Sequence, residues 1–225
     1  TIVMSATSSN LYRSEWVAAK FDKDLTTLPK GKSFKVGYYL QSWKYFYHIE
    51  DVIRRQFQFR DIIDESESQI MKRILANFPI ESPTLIGIHI RIGDIADEAH
   101  SRYGLVIAPE GYIYKAIEYM KAKFRNIIFV AASDDLKWPK TVLCVRSNES
   151  IYFLEEGSTL EVDLAVMTSC DHVIQTVGSF GWWTGFLAGG ISMYYPHPGR
   201  SGSPGEARDI YTDFFPPNWF FPIDV

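Results

Sequence analysis

Residues 84–94 read Thr84-Leu85-Ile86-Gly87-Ile88-His89-Ile90-Arg91-Ile92-Gly93-Asp94. Leu85 to Ile90 is a short apolar run rich in β-branched side chains, the pattern of a strand buried on both faces. A guanidinium, Arg91, stands at its exit. Gly93 then lets the backbone turn tightly. A strand of this kind belongs inside a sheet with helices on both sides, so the flanking sequence is read for helices.

Downstream, a long polar loop is expected from Arg91 to about Glu110. Tyr112 to Phe124 follows with helical period, placing Ile113, Ala116, Ile117 and Met120 on one face. Asn126 to Ala132 reads as a second buried strand and Thr141 to Arg146 as a third. Leu160 to Ser169 reads as a helix with Leu160, Leu164 and Met167, or near neighbours, toward the core. Val173 to Val177 is a fourth strand. Phe180 to Leu187 is a helix stopped by Gly189-Gly190, and Ile191 to Tyr195 is a fifth strand. The tail from His197 to Val225 is rich in Pro, Gly and aromatic residues. Upstream, Phe34 to Leu40 alternates like a strand. Phe46, Ile49, Val52, Ile53, Phe57, Ile62, Ile63, Ile70 and Ile74 recur helically, and Asn77 to Pro83 is a linker with two prolines. Strands alternating with helices predict an α/β domain with a mostly parallel sheet. Such sheets bind ligands beyond the carboxyl ends of their strands. That rule selects Arg91, Ser133 and the stretch from Thr176 to Ser179.

The chain has 225 residues and a formal net charge of -4, so no overall basic character points to nucleic acid. Its two cysteines, Cys144 and Cys170, form no C-x-x-C cluster, which argues against a zinc site and leaves a disulfide open. No run approaches the roughly 20 apolar residues of a membrane span, and no signal peptide is visible. The chain begins at Thr1 rather than Met. It is therefore expected to be a fragment or processed form, with any membrane anchor lying outside it.

Three segments carry chemistry. In the first, Arg91 suits bidentate capture of a pyrophosphate, although an Arg91–Asp94 salt bridge capping the strand is an equal reading. In the second, Asp163 lies near a helix start, where it either caps backbone amides or accepts from the N1–H and amino group of a guanine. In the third, a strand passes through Thr176, Gly178 and Ser179 into a helix N-terminus. The free amides, the helix dipole and the Ser179 hydroxyl there make an anion site. Trp182 and Trp183 fit a core better than a stacking platform. His48, His100, His172 and His197 show no metal-ligand spacing. Asn148-Glu149-Ser150 is an N-glycosylation sequon.

The segments HIRIGD (89–94), EVDLAVMTSCDHVIQTVGSFGWW (161–183) and FLAGG (186–190) resemble, in order and spacing, the galactoside α-1,2-fucosyltransferases of glycosyltransferase family 11. Ser42–His48, Asn126–Val130 and Phe215–Trp219 extend the resemblance over roughly Gly37 to Trp219. It implies a GT-B-like fold. Residues 83–225 are then a Rossmann-like donor-binding domain with a C-terminal tail, and residues 1–82 part of an N-terminal acceptor-side domain. The implied reaction is inverting transfer of L-fucose from GDP-fucose to the 2-hydroxyl of a galactose residue on a glycan, with no metal and no cofactor. The implied location is the Golgi lumen, within a type II membrane protein.

Carried over by motif, Arg91 binds the pyrophosphate, His89 lies near the nucleoside, Asp163 binds guanine and Ser179 the phosphate, with Thr176 and Gly178 beside it. Asp94, Asp97 and Glu98 are candidates for a base, and Asp94 equally for holding Arg91. Two departures stand out. The family's usual second Arg in the first motif is Ile92 here, a lost cation for which Arg102 is a candidate substitute. The stretch before Ser42 is also shorter than in the family. Both leave open an inactive or weakened paralogue that keeps GDP-sugar or glycan binding. The Gly-Ser-Phe-Gly-Trp-Trp segment (178–183) argues against another fucosyltransferase class sharing the first motif.

Overall fold

The computed structural model describes residues 20–31, 34, 36, 40–144, 149–155, 157–203, 205–206, 211–217 and 220–222. Most of the strand expected over 34–40 lies outside these, and residues 34, 36 and 40 are not in a strand. Asn148 also lies outside them. The principal elements run α1 (Glu50–Gln56), α2 (Asp61–Asn77), β1 (Thr84–Ile90), α3 (Glu98–Tyr103), α4 (Glu110–Lys123), β2 (Ile127–Ser133), α5 (Lys137–Cys144), β3 (Ile151–Phe153), α6 (Leu160–Thr168), β4 (His172–Gln175), α7 (Ser179–Ala188), β5 (Ser192–Tyr194), α8 (Tyr211–Phe214) and β6 (Phe220–Pro222).

The six strands form one sheet in the order β3-β2-β1-β4-β5-β6, and every pairing is parallel. β1 is central, with Ile90 opposite Ser133 of β2 and His89 opposite Gln175 of β4. The chain winds outward from β1 to β3, then returns to the other side of β1 through β4. The switch point between β1 and β4 is where such sheets open a crevice at their carboxyl ends.

Alternation along the strands divides the core between the two faces. Ile86, Ile88 and Ile90 meet Phe129, Ala131 and the α4 residues Tyr112, Ile113, Ala116 and Met120 on one face. Leu85, Ile128, Val130 and Ala132 meet Ile74 of α2 and Val162, Val166 and Met167 of α6 on the other. A third cluster surrounds α7, where Trp182 and Phe186 pack with Trp43, Phe46, Ile53 and Phe214. The paired tryptophans therefore serve the core. The described part of the first 82 residues is thus built onto α6 and α7.

Three expectations are corrected. Thr141–Cys144 is not a strand but the end of α5; residues 145–148 lie outside the described set, and the third strand is Ile151–Phe153. The Asp135 carboxylate accepts from the Lys137 N–H at 2.9 Å, Pro139 falls in the first turn where its missing N–H costs nothing, and Pro139, Val142 and Leu143 make a buried helical stripe. The loop from Arg91 to Glu110 contains a 3-10 turn, Asp94–Ala96, and helix α3. That helix is almost wholly polar, so it has no apolar period to read. Finally, Leu160 is 72% exposed, and α6 buries Met167, as expected, together with Val162, Ala165 and Val166. Nearly every side of α6 is apolar, so its sequence does not reveal which side faces inward. A sixth strand, β6, was not anticipated in the tail. Both cysteines are free, Cys144 exposed and Cys170 buried.

Candidate functional site

The parallel register brings the sequence-selected residues to one edge. Arg91 leaves β1 beside Thr176, which leaves β4, and the Arg91 N–H donates to the Thr176 hydroxyl at 3.0 Å. The Thr176 N–H donates to the His89 carbonyl at 3.1 Å. Two residues beyond Thr176, Gly178 takes φ +102°, where a side chain is strained. A Cβ there would lie 2.6 Å from Nη1 of Arg91. The glycine thus lets the guanidinium approach the start of α7. Among the described residues no side chain caps that helix start, so its first amides remain available to an anion. Ser179, the first residue of α7, is exposed at the same place.

Asp94 holds Arg91 from the other side. Nε of Arg91 donates to Asp94 Oδ1 at 2.8 Å, and Nη2 donates to Oδ2. This fork raises the guanidinium's pKa and lowers that of the carboxyl. Salt bridge and anion grip are therefore compatible, because Nη1 is the nitrogen turned toward Gly178.

His89 is 7% exposed on the α6 and α7 side of β1. Its ring centroid lies 4.9 Å from that of Phe180, and a Cβ on Gly181 would come within 2.8 Å of Nδ1. Burial pushes the imidazole down to about 4, aided by Arg91 and opposed by Asp134, so it is neutral at pH 7. Nδ1 is buried without a hydrogen-bond partner among the described residues.

Asp163 does not cap α6, because Thr159 does, its hydroxyl accepting from the Val162 N–H at 3.4 Å. The carboxyl is partly buried in the first turn, at the end of α6 that follows β3 and so faces the carboxyl edge of the sheet. Burial raises its pKa, against a hydrogen bond from Ser158. Oδ1 is buried and has no hydrogen-bond partner among the described residues. An anionic acceptor with an unmet oxygen is suited to a ligand's N–H groups.

Several expectations change. Ile92 is 9% exposed in the α4-facing core, so position 92 points away from the Arg91 face and the missing second Arg leaves no gap beside Gly178. Arg102 is an exposed partner of Glu98 on α3 and takes no substitute role at Arg91. Ser133 closes its own turn, donating to the Asp135 carbonyl at 2.9 Å and accepting from the Asp135 N–H at 3.2 Å. His172, in keeping with its lack of ligand spacing, has a satisfied structural role: its Nδ1 accepts from the Ile191 N–H at 3.1 Å, and its ring stacks on Phe124 at 4.0 Å.

The sequence reading missed Asp134, which accepts from the Ile92 N–H at 2.8 Å, and His100, whose Nε2 lies 3.9 Å from Asp94 Oδ2. The strand-end rule came within one residue of Asp134, whereas nothing in the sequence ties His100 to Asp94. Among the described residues no group of three or more His, Cys, Asp or Glu is placed to hold a metal ion.

The sequence matches the model of glycosyl transferase family 11 over residues 1–221. It is 31% identical over 160 residues to galactoside alpha-(1,2)-fucosyltransferase 1 of Rattus norvegicus, covering 68% of this chain and 41% of that protein. To the Homo sapiens protein of the same name it is 30% identical over 156 residues, covering 68% and 42%. The matched region thus spans about two-fifths of these relatives. Among solved structures, NodZ alpha-1,6-fucosyltransferase soaked with GDP-fucose superposes with a TM-score of 0.51 at 16% identity, over 73% of this chain and 55% of that one, which shows a shared fold. The structure thus bears out the expected Rossmann-like sheet, and the chain belongs to glycosyl transferase family 11.

Proposed function

We propose that this chain carries the GDP-fucose site of an inverting glycosyltransferase that moves L-fucose to the 2-hydroxyl of a galactose residue on a glycan. The observation that carries the reading is the approach of Arg91 to Gly178 and the uncapped start of α7, at the switch point of the sheet. A diphosphate seated there meets a guanidinium and free helix amides together. Both stabilise the charge that develops on the leaving GDP. Ser179 adds a hydroxyl, and Thr176 holds the Arg91 backbone. Asp163 is the proposed acceptor for the guanine N1–H and amino group, and neutral His89 lies on the nucleoside side.

Asp94, already forked onto Arg91, orients the guanidinium rather than deprotonating the acceptor. The reaction takes GDP-fucose as co-substrate and needs no resident cofactor or metal, because Arg91 and α7 supply the positive potential. Residues 83–225 are the proposed donor domain and residues 1–82 the acceptor-side portion, of which α2 packs against the donor sheet. The Golgi lumen is the proposed location. The sequon at Asn148 supports passage through the secretory lumen. The competing reading of a weakened paralogue drew on Ile92 and on the short stretch before Ser42. Burial of the Ile92 side chain in the core speaks against the first of these grounds.

Calorimetric titration of GDP into wild type, Arg91→Ala and Asp163→Ala, with ADP as control, tests the site. GDP-selective binding lost in both variants is the expected result. A folded wild type that binds no GDP would overturn the reading. Transfer from GDP-fucose to galactosides then tests the reaction.

A further inference from the structure

The turn that carries Arg91 is held from the neighbouring strand. β2 ends at Ser133, and the next residue, Asp134, places Oδ1 2.8 Å from the Ile92 N–H, which donates to it. A Cβ on Gly93 would lie 3.0 Å from Oδ2 of the same carboxylate, so Asp134 is seated tightly against the turn. Gly93 has φ -47°, an ordinary value, so this close seating rather than backbone freedom distinguishes the glycine.

A carboxylate beside a diphosphate site is electrostatically unfavourable. Its presence there calls for a compensating contact, and the hydrogen bond to Ile92 is that contact. Three side-chain contacts then define the turn: Thr176 to the Arg91 amide, Asp134 to the Ile92 amide, and Asp94 to the guanidinium.

We propose that Asp134 is a positioning residue for the donor diphosphate, fixing the turn in the conformation that presents Nη1 of Arg91 to Gly178 and the start of α7. This rests on the reading that Arg91 grips the diphosphate. Asp134 acts through the backbone and touches no reacting atom. What the turn needs from it is an acceptor oxygen, and the negative charge is dispensable. Asparagine therefore replaces it and alanine does not.

The test is GDP titration of the full chain as wild type, Asp134→Asn, Asp134→Ala, Gly93→Ala, the Gly93→Ala/Asp134→Ala double variant and Arg91→Ala, each checked for cooperative thermal unfolding. Asp134→Ala is expected to weaken GDP binding about tenfold, and Asp134→Asn to bind as wild type or tighter. Gly93→Ala weakens binding in the wild-type background and adds little once Asp134 is alanine, since the neighbour it presses on is gone.

Asparagine as weak as alanine would overturn the proposal by showing that charge, not the hydrogen bond, is needed. Wild-type affinity in Asp134→Ala, with Arg91→Ala still weak, would overturn it alone. No GDP binding by wild type, or no effect of Arg91→Ala, would overturn the diphosphate reading and this inference with it. If Asp134→Ala does not fold, Gly93→Ala and Asp134→Asn decide: a weak glycine variant beside a wild-type asparagine variant supports the role, and any other pattern overturns it.

Discussion

Gly178 and Arg91, 87 positions apart in the chain, approach so closely that a single added methyl at 178 would sit 2.6 Å from Nη1 of the guanidinium. Gly178→Ala therefore carries two costs. It forces a side chain into φ +102°, about 1–2 kcal/mol of backbone strain, and it displaces Arg91 from the start of α7. Calorimetry should show GDP affinity lowered at least about tenfold, with a melting temperature several degrees lower. A variant that binds GDP as wild type would show that the Arg91–Gly178 approach is not used.

Asp163 should separate stability from binding. Its carboxyl is partly buried with Oδ1 unpartnered, and such a group is destabilising in the free protein, by about 1–3 kcal/mol when left unmet. Asp163→Ala is expected to melt no lower than wild type while losing GDP affinity. Wild type should also prefer GDP to IDP, which lacks the 2-amino group, and the preference should vanish in the variant. Titrations with both nucleotides, alongside thermal unfolding without ligand, check this.

His89 makes the fold acid-sensitive. Its folded pKa of about 4 lies below the ordinary value of 6.5. Between these values the unfolded chain binds more protons than the native one, so stability rises with pH. The His89 contribution is present in full above about pH 6.5 and is lost as pH falls toward 4. It amounts to at most about 3 kcal/mol. His89→Gln, which cannot protonate, should flatten the urea-unfolding free energy across that window. An unchanged slope would mean that the imidazole is not buried as described.

Arg54 should matter for stability and little for ligand binding. It donates to the Phe186 carbonyl and, at 3.2 Å, to the Leu187 carbonyl, lies 4.2 Å over the Phe186 ring, and is itself held by Glu50 at 2.9 Å. It thus caps the C-terminal end of α7, opposite the proposed diphosphate end. Arg54→Ala is expected to cost about 1–2 kcal/mol, a fall in melting temperature of about 2–8 °C, with GDP affinity within about twofold of wild type. Thermal unfolding and calorimetry on the same sample distinguish the two effects.

Much of the layer architecture was legible because it depends on local pattern. A strand buried on both faces, such as β1, must read as a continuous apolar run, and a half-buried helix such as α4 must show its stripe. The same logic failed where pattern carries no direction. α6 is apolar almost all round, so neither its exposed Leu160 nor its buried Val162 is distinguishable by period. The segment at 141–144 has β-branched and apolar residues that suit a strand, and only its capping Asp135 and first-turn Pro139 explain why it is a helix.

The sequence by itself determined the alternation of strands and helices, and with it a parallel sheet whose carboxyl edge holds Arg91, Thr176, Gly178 and Ser179. Those residues follow strands, and in a parallel sheet every strand ends on the same side. Tertiary structure alone decided which neighbours act on them. Only the packed sheet shows that Ile92 turns into the α4 side of the core while Arg91 faces α7. It likewise shows Asp134 crossing from the end of β2 to the Ile92 amide, and burial stripping His89 of its charge. Such contacts join residues tens of positions apart, and their energies depend on burial and distance, which no local spacing encodes.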